Sequence, residues 1–252
     1  MSRTTLKAIP VLLVLCAVAQ SLLAAQAVTK ISEPGPGPEK ASLETVLAGM
    51  EKCYANTGFC ADFKQTATLK GMGITDNASG TVCFKYPDKV RWKYKAPEEQ
   101  AVVSDGKTLW LYRPLDNQVI VGAARDYFGC GEGASFLSDV KLLKKYFIIS
   151  WAPEKLAEFA PGEKKHVLKL APKAPRPEFT ALYLVIEKDS FHISQSISYN
   201  DYGDATRIRF EAPRFDTSLP DSDFVFKTPK GVEVLRMGDQ QAPKKPAKGS
   251  KG

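Results

Sequence analysis

The feature that most constrains the fold is a change of hydrophobic period after one short segment. Between residues 43 and 54, apolar residues recur at spacings of three and four, and Ser42 suits the N-cap position of a helix. After this segment the period becomes two, so that Val90, Trp92 and Tyr94 alternate with basic residues. Alternation of this kind is typical of half-buried strands. The chain is therefore predicted to begin with one amphipathic helix and to continue as a mainly β domain.

The strand-like segments are short and are joined by turn sequences. Ser104-Asp105-Gly106-Lys107 separates two apolar runs, where Asp-Gly is a strong hairpin signal. Similar segments continue to Phe210, with one interruption in which helical spacing returns between Phe136 and Phe147. The last strand-like segments are Phe224-Val225-Phe226 and residues 229–234. This pattern predicts an α+β fold, mainly β, in which a curved antiparallel sheet is covered on one face by helices.

The first 40 residues carry a different pattern. Arg3 and Lys7 precede a predominantly apolar stretch that ends near Leu23, and Ala25-Gln26-Ala27 resembles a cleavage site. These are the features of a secretory signal peptide, here residues 1–27, so we expect an exported protein. Residues 28–40 are rich in proline and glycine and are predicted to be a linker to the domain at 41–238.

The positive charge is concentrated at the two ends of the chain. Loss of residues 1–27 removes two basic residues and no acidic ones, which lowers the formal net charge from +7 to +5. Residues 239–252 hold four lysines and one aspartate, so this segment accounts for +3. We interpret it as a disordered, solubilising tail, with weak attraction to an anionic membrane as the alternative. The remaining domain carries too little positive charge to favour nucleic-acid binding.

Four cysteines remain after the predicted cleavage, namely Cys53, Cys60, Cys83 and Cys130. An even number of cysteines in an exported protein favours disulfides, and four cysteines allow three pairings. Proximity in sequence favours Cys53 with Cys60, which leaves Cys83 with Cys130. A metal site is disfavoured because the chain lacks a C-x-x-C motif and its only two histidines lie far from the cysteines in sequence.

The sequence contains no motif that indicates catalysis. It lacks a G-x-S-x-G elbow, an H-E-x-x-H zinc motif, a phosphate-binding glycine loop and a dinucleotide fingerprint. The strands, by contrast, carry more apolar and aromatic side chains than one or two helices can easily cover. This excess predicts a partly unfilled apolar cavity on the concave face, without a cofactor.

Four stretches, in order, resemble the LolA family of lipoprotein carriers. The segment 58–65 contains its Phe-x-x-x-Phe-x-Gln pattern, and Ser79-Gly80 leads to Tyr86-Pro87 and Arg91-Trp92. The most specific stretch runs from Val103 to Tyr112, and the last covers residues 224–234. Together they span residues 41–236, more weakly between 123 and 180.

The resemblance implies an unclosed β-barrel of about eleven strands with helices as a lid. It also implies a monomeric, non-enzymatic periplasmic chaperone whose concave cavity binds the acyl chains of lipoproteins. Cargo would arrive from the inner-membrane ABC transporter LolCDE and pass to the outer-membrane acceptor LolB, where the organism has one. The alternatives are a periplasmic sensor of lipids or lipoproteins, of the RseB type, and a carrier of another lipid.

Site residues follow from combining the resemblance with the strand pattern. The lid is predicted to present Phe136, Leu137 and Leu143 to the cavity. In the family an arginine before the turn proline holds the lid shut, but Tyr86 occupies that position here and Arg91 is displaced, so these two are the candidate latch residues. The predicted cavity lining is Phe63, Phe84, Trp92, Leu109, Leu111, Leu184 and Ile186.

Overall fold

The computed structural model describes residues 41–55, 57–124, 141–153, 164–174, 177, 179–216 and 218–237. The predicted signal peptide, linker and basic tail lie outside these residues. So do Cys130 and the predicted lid residues Phe136 and Leu137.

Two helices and twelve strands make up the described part of the chain. No helix within it has the length and hydropathy that crossing a membrane requires. In chain order the elements are α1 Leu43–Tyr54, β1 Gly58–Leu69, β2 Ile74–Lys85, β3 Lys89–Ala96, β4 Gln100–Asp105, β5 Thr108–Arg113, β6 Gln118–Ala123, α2 Lys141–Tyr146, β7 Phe147–Trp151, β8 Lys165–Pro172, β9 Ala181–Glu187, β10 Ile193–Tyr199, β11 Ala205–Asp216 and β12 Glu233–Arg236.

All twelve strands belong to one sheet in the order β12-β6-β5-β4-β3-β2-β1-β11-β10-β9-β8-β7. Its two edge strands, β12 and β7, are not paired with each other, so the barrel is unclosed. Every neighbouring pair is antiparallel except β12 with β6, which is parallel. The predicted mainly β, unclosed architecture is confirmed, with twelve strands instead of about eleven.

The N-terminal helix α1 covers one face of the sheet, which we call the inner face. Its first turn is capped by Ser42, whose hydroxyl accepts a hydrogen bond from the amide of Thr45 at 3.1 Å. Its apolar side is buried in the main core cluster together with residues from β1, β2, β3, β8, β9 and β11. The helical spacing seen in the sequence therefore corresponds to a real packing surface. The buried residues of α1 are Val46, Leu47, Met50 and Tyr54.

Two specific contacts position α1 on the inner face. The hydroxyl of Tyr54 accepts a hydrogen bond of 2.9 Å from the buried amide of Ile193, at the start of β10. Burial raises the pKa of the Tyr54 phenol, so the hydroxyl stays neutral. The ring of Phe191 lies so close to Gly49 that a Cβ there would be 2.5 Å from it. Glycine at this position lets the helix backbone approach the ring.

The second helix ends earlier than helical spacing predicts. The prediction extended to Phe147, but α2 ends at Tyr146 and Phe147 begins β7. The reason is that Phe147, Ile149 and Trp151 share one strand face and pack into the core cluster, while Ile148 between them is 63% exposed. Burial of this alternating set favours a strand over another helical turn.

A C-terminal arm, residues 218–237, contacts β3 and β4 from the outer side of the sheet before it pairs as β12 with β6. The prediction of a strand at 224–226 is wrong, because Asp221–Phe224 forms a 3-10 turn instead. The Phe224 side chain is fully buried in a small cluster with Cys60, Cys83 and Leu219. Around it, Asp221 pairs with Lys85 at 2.7 Å and with Lys89 at 3.5 Å.

The predicted cysteine pairing is wrong. Cys60 and Cys83, directly opposite each other on β1 and β2, form the disulfide, with Cα atoms 4.1 Å apart. Cys60 points to the outer side of the sheet, whereas α1 carries Cys53 on the inner side, so closeness in sequence does not bring these two together. Cys53 is a free, half-buried thiol, and burial raises its pKa to about 11.

We expect Phe224→Ala to lower the free energy of unfolding by about 3–5 kcal/mol, because it empties the pocket that the arm fills. Denaturant unfolding measures this loss, and limited proteolysis should show earlier cleavage within the arm. The neighbouring Val225→Ala is the control, since Val225 is 47% exposed and its truncation should change stability by less than about 0.5 kcal/mol. Equal effects of the two substitutions would contradict a role for Phe224 as the anchor.

We expect Tyr54→Phe to destabilise the fold by about 1–3 kcal/mol, because the buried amide of Ile193 loses its acceptor. Thermal or denaturant unfolding provides the measurement, and Tyr202→Phe is the control because Tyr202 is 67% exposed. Hydrogen exchange at the Ile193 amide should accelerate in the Tyr54 variant alone. Unchanged exchange at this amide would mean that the hydrogen bond does not help to hold α1 on the sheet.

Candidate functional site

The inner face from β1 to β6 is organised in rows that run across the strands. Residues paired directly across neighbouring strands project to the same side of a sheet, and alternate residues along a strand do so as well. The first row is Phe59, Phe84, Val90, Ser104, Leu109 and Gly122. The second row is Ala61, Val82, Trp92, Val102, Leu111 and Ile120. The third row is Phe63, Gly80, Tyr94 and Gln100.

Polarity changes from one row to the next. The first two rows carry no charged residue, and most of their side chains are buried. The third row ends in Tyr94 and Gln100, both half-buried. One step further along β1, Gln65 accepts a hydrogen bond from the Tyr94 hydroxyl at 3.1 Å. The inner face is therefore apolar at one end of these strands and becomes polar toward the other.

All seven predicted lining residues lie on this inner face. Five of them belong to the main core cluster, and Leu109 and Leu111 lie in the first and second rows and are buried as well. The strand pairing from β1 through β11 and β10 places Leu184 of β9 on the same side as Gln65 of β1. The structure thus brings the set together on one surface. That acyl chains contact these side chains remains a prediction.

The inner face is filled by its own side chains. Trp92 lies within a group of aromatic rings, with the centroid of Phe63 at 4.8 Å, that of Phe84 at 5.9 Å and that of Phe210 at 6.4 Å. Phe59 lies beside the same group, stacked on Phe84 at 6.2 Å. The sequence predicted a surface that is lined but partly unfilled. Five of the predicted lining residues instead pack in one cluster with the apolar side of α1, namely Phe63, Phe84, Trp92, Leu184 and Ile186.

One polar atom in this aromatic group is not satisfied. The indole nitrogen of Trp92, Nε1, is buried and has no hydrogen-bond partner in the described part of the chain. Trp92 itself is 7% exposed. A buried donor without an acceptor is uncommon, and leaving one unpaired costs about 1–3 kcal/mol. Sequence reasoning placed Trp92 on this face but could not detect the unpaired donor, because pairing depends on every surrounding side chain.

The second helix covers the other end of the inner face. The Leu143 side chain of α2 is fully buried in the main core cluster, and α2 leads directly into β7. Near it, Phe147 packs edge-to-face on Phe179 with centroids 6.0 Å apart. Leu143 is the one predicted lid residue within the described chain. Its position against the inner face is compatible with that role, which remains a prediction.

The two predicted latch residues, Tyr86 and Arg91, do not lie on the inner face. Arg91 projects to the outer side, where its guanidinium pairs with Asp223 of the arm at 3.0 Å. It therefore fastens the C-terminal arm in this conformation and does not face α1. Tyr86 precedes Pro87 in the β2–β3 turn and is 46% exposed. No latch across the inner face is formed by either residue as they stand here.

The three rows between β1 and β6 contain no charged side chain that could support catalysis. Within the described residues, no group of three or more His, Cys, Asp or Glu side chains could hold a metal ion. His166 is buried beside Trp151, with ring centroids 5.5 Å apart, and burial lowers its pKa. Packing against Trp151 therefore explains the presence of His166, and no catalytic role is needed.

Comparison with known proteins agrees with this geometry. A protein from Chromobacterium violaceum, named outer-membrane lipoprotein carrier protein, is 29% identical over 85% of this chain and 95% of its own. A relative of the same name from Albidiferax ferrireducens is 30% identical over 72% of this chain and 85% of its own. Among solved structures, an uncharacterised conserved protein from Thermus thermophilus has a TM-score of 0.51 at 15% identity, covering 77% of this chain and 98% of that one. This last similarity concerns the fold alone.

The model of the family described as outer membrane lipoprotein carrier protein LolA matches residues 55–227. This range begins just after α1 and ends within the C-terminal arm, so it contains all of the rows of the inner face. Members of this family are carriers and not enzymes. The open sheet with its apolar inner face belongs to a member of the LolA family.

Proposed function

We propose that this protein carries lipoproteins between membranes by holding their acyl chains against the inner face. The observation that supports this most directly is the pair of uncharged rows that cross six neighbouring strands on the inner face. A sheet that stays open at its edges can widen, which a closed barrel cannot do. The relatives named as lipoprotein carriers support the same cargo class.

The energetic problem of such a carrier is set by the cargo. Burial of one methylene group contributes about 0.8 kcal/mol, so a multiply acylated protein does not leave a membrane unaided. A carrier must replace most of that burial with apolar contacts of its own. The side chains of the first two rows offer such contacts, and several of them contact one another in this structure. An incoming acyl chain would exchange one set of non-directional apolar contacts for another, so uptake and release need not be strongly uphill.

Entry of a chain requires α1 to move away from the sheet. The buried residues of α1 are mostly apolar, and the Tyr54–Ile193 hydrogen bond adds a buried polar attachment. Apolar contacts can be replaced by acyl chains without leaving polar groups unpaired. We therefore assign α1 the role of a movable cover, with Leu143 of α2 as part of the cover at the opposite end.

The proposed carrier would act in the periplasm, between a transporter in the inner membrane and an acceptor in the outer membrane. Residues 1–27 would direct export to the periplasm, and the mature chain would begin with the linker at 28–40. The chain has no nucleotide-binding motif, so the energy for loading would come from an ABC transporter of the LolCDE type. The cargo would then pass to an outer-membrane acceptor such as LolB.

The direct test is release of lipoproteins from energised spheroplasts by the purified mature chain, followed by mass spectrometry of the soluble complex. A one-to-one complex with an acylated lipoprotein is the expected result. Recovery of free lipid without protein would favour a carrier of another lipid. A stable complex with a signalling protein, and no release of lipoproteins, would favour a sensor of the RseB type and overturn the carrier function.

Tryptophan fluorescence can locate the bound chains, because Trp92 and Trp110 lie on opposite sides of the sheet. In variants that keep only one tryptophan, lipopeptides with brominated acyl chains should quench Trp92 on the inner face strongly. Trp110, on the outer face of β5 opposite Val103, should be quenched little and is the matched control. Equal quenching of both tryptophans, or quenching of Trp110 alone, would contradict binding of the acyl chains at the inner face.

A further inference from the structure

We propose that Trp92 donates a hydrogen bond from Nε1 to a carbonyl oxygen of the bound lipid, and so fixes the depth and direction in which the acyl chains insert. The inference rests on the proposed function, since it concerns the same inner face. It begins from the buried indole N–H that has no acceptor among the described residues.

The surroundings of Trp92 define which acceptor fits. Its paired neighbours in the second row are Val82 and Val102, and the rings of Phe63, Phe84 and Phe210 lie around it. None of these side chains carries a charge. A phosphate or carboxylate placed here would be buried without a compensating cation, which is strongly unfavourable. A neutral acceptor avoids that cost, and the ester or amide carbonyl at the head of an acyl chain is such a group.

The polarity of the rows gives the direction of insertion. Below Trp92, the first row offers Phe59, Phe84, Val90 and Leu109, all nearly fully buried. Above it, the third row leads to Tyr94 and on to the Tyr94–Gln65 hydrogen bond. A carbonyl at Trp92 would place the hydrocarbon toward the first row and the glyceryl and peptide portion toward Tyr94 and Gln65. Both halves of the lipid anchor then meet surfaces of matching polarity.

This role accounts for a tryptophan at position 92, where the indole donor is unpaired. A phenylalanine would fill the aromatic group without leaving a polar atom unsatisfied. An indole that is unsatisfied while the face is filled by protein, and satisfied once lipid is bound, favours the bound state over the empty one. This preference for the bound state applies to lipids with a carbonyl group and not to plain hydrocarbon chains.

Binding of paired synthetic lipids separates this role from simple packing. The first lipid is a cysteinyl peptide whose sulfur carries a glyceryl group esterified with two palmitoyl chains. The second is its dialkyl ether counterpart, which lacks the two ester carbonyl oxygens at the heads of the chains. We expect Trp92→Phe to weaken binding of the ester lipid by about three- to tenfold, as for one hydrogen bond, and to change binding of the ether lipid much less. Trp110→Phe is the control and should leave both affinities unchanged.

A second measurement keeps the test independent of folding. In a Trp110→Phe/Trp151→Phe background, incorporation of benzothienylalanine replaces the Nε1–H of Trp92 with sulfur while preserving the shape of the ring. Infrared spectra of lipid labelled with ¹³C at the ester carbonyl should show the carbonyl band at lower frequency in the tryptophan protein than in the analogue.

Three outcomes are distinguishable. The expected shift and selective loss of affinity support the hydrogen bond. Equal weakening of ester and ether lipids, with no shift of the carbonyl band, would overturn it and leave Trp92 as a packing residue of a working carrier. Failure of the unsubstituted protein to bind either lipid would count against the proposed function itself.

Discussion

Contact between α1 and the inner face is the interaction on which the rest of the structure depends. A twelve-stranded sheet that does not close leaves one apolar surface that water would otherwise meet. The four buried residues of α1 cover that surface where it is most aromatic. The same contact has to be reversible if a ligand is to reach the rows beneath. Stability of the empty protein and access for the ligand are therefore set by one interface.

The two faces of the sheet are held by different kinds of interaction. On the outer side, the Cys60–Cys83 disulfide joins β1 to β2. The buried Phe224 and the ion pairs of Asp221 and Asp223 fasten the arm to this region. The disulfide is covalent and the ion pairs are directional, so both restrain the relative positions of the elements that they join. On the inner side the contacts are mostly apolar and non-directional. This asymmetry lets the inner face change its partners while β1, β2 and β3 keep their register.

Much of the fold and of the candidate site could be predicted because both depend on local periodicity. Alternation alone places Phe63, Phe84, Trp92, Leu109 and Leu111 on a common side, since each strand must turn its apolar residues toward the same cover. The disulfide could not be predicted in this way. Cys60 pairs with Cys83 because both lie on the outer face, and the short distance in sequence between Cys60 and Cys53 has no influence. The arm was missed for a related reason: burial of Phe224 against the outer side depends on long-range contacts, and Phe224-Val225-Phe226 alternates like a strand.

The indole of Trp92 departs from the rule that buried polar groups in a core are hydrogen-bonded. Two other polar side chains of the inner face are hydrogen-bonded, since Tyr94 donates to Gln65 and Tyr54 accepts from the amide of Ile193. Departures from such consistency are expected where function requires them. A core built only for stability would gain from an apolar ring at position 92. A surface built to receive a lipid gains from a donor that lies at the boundary between its apolar and polar rows. In the proposed mechanism, the position of the donor at that boundary links the packing of the inner face to recognition of a lipid.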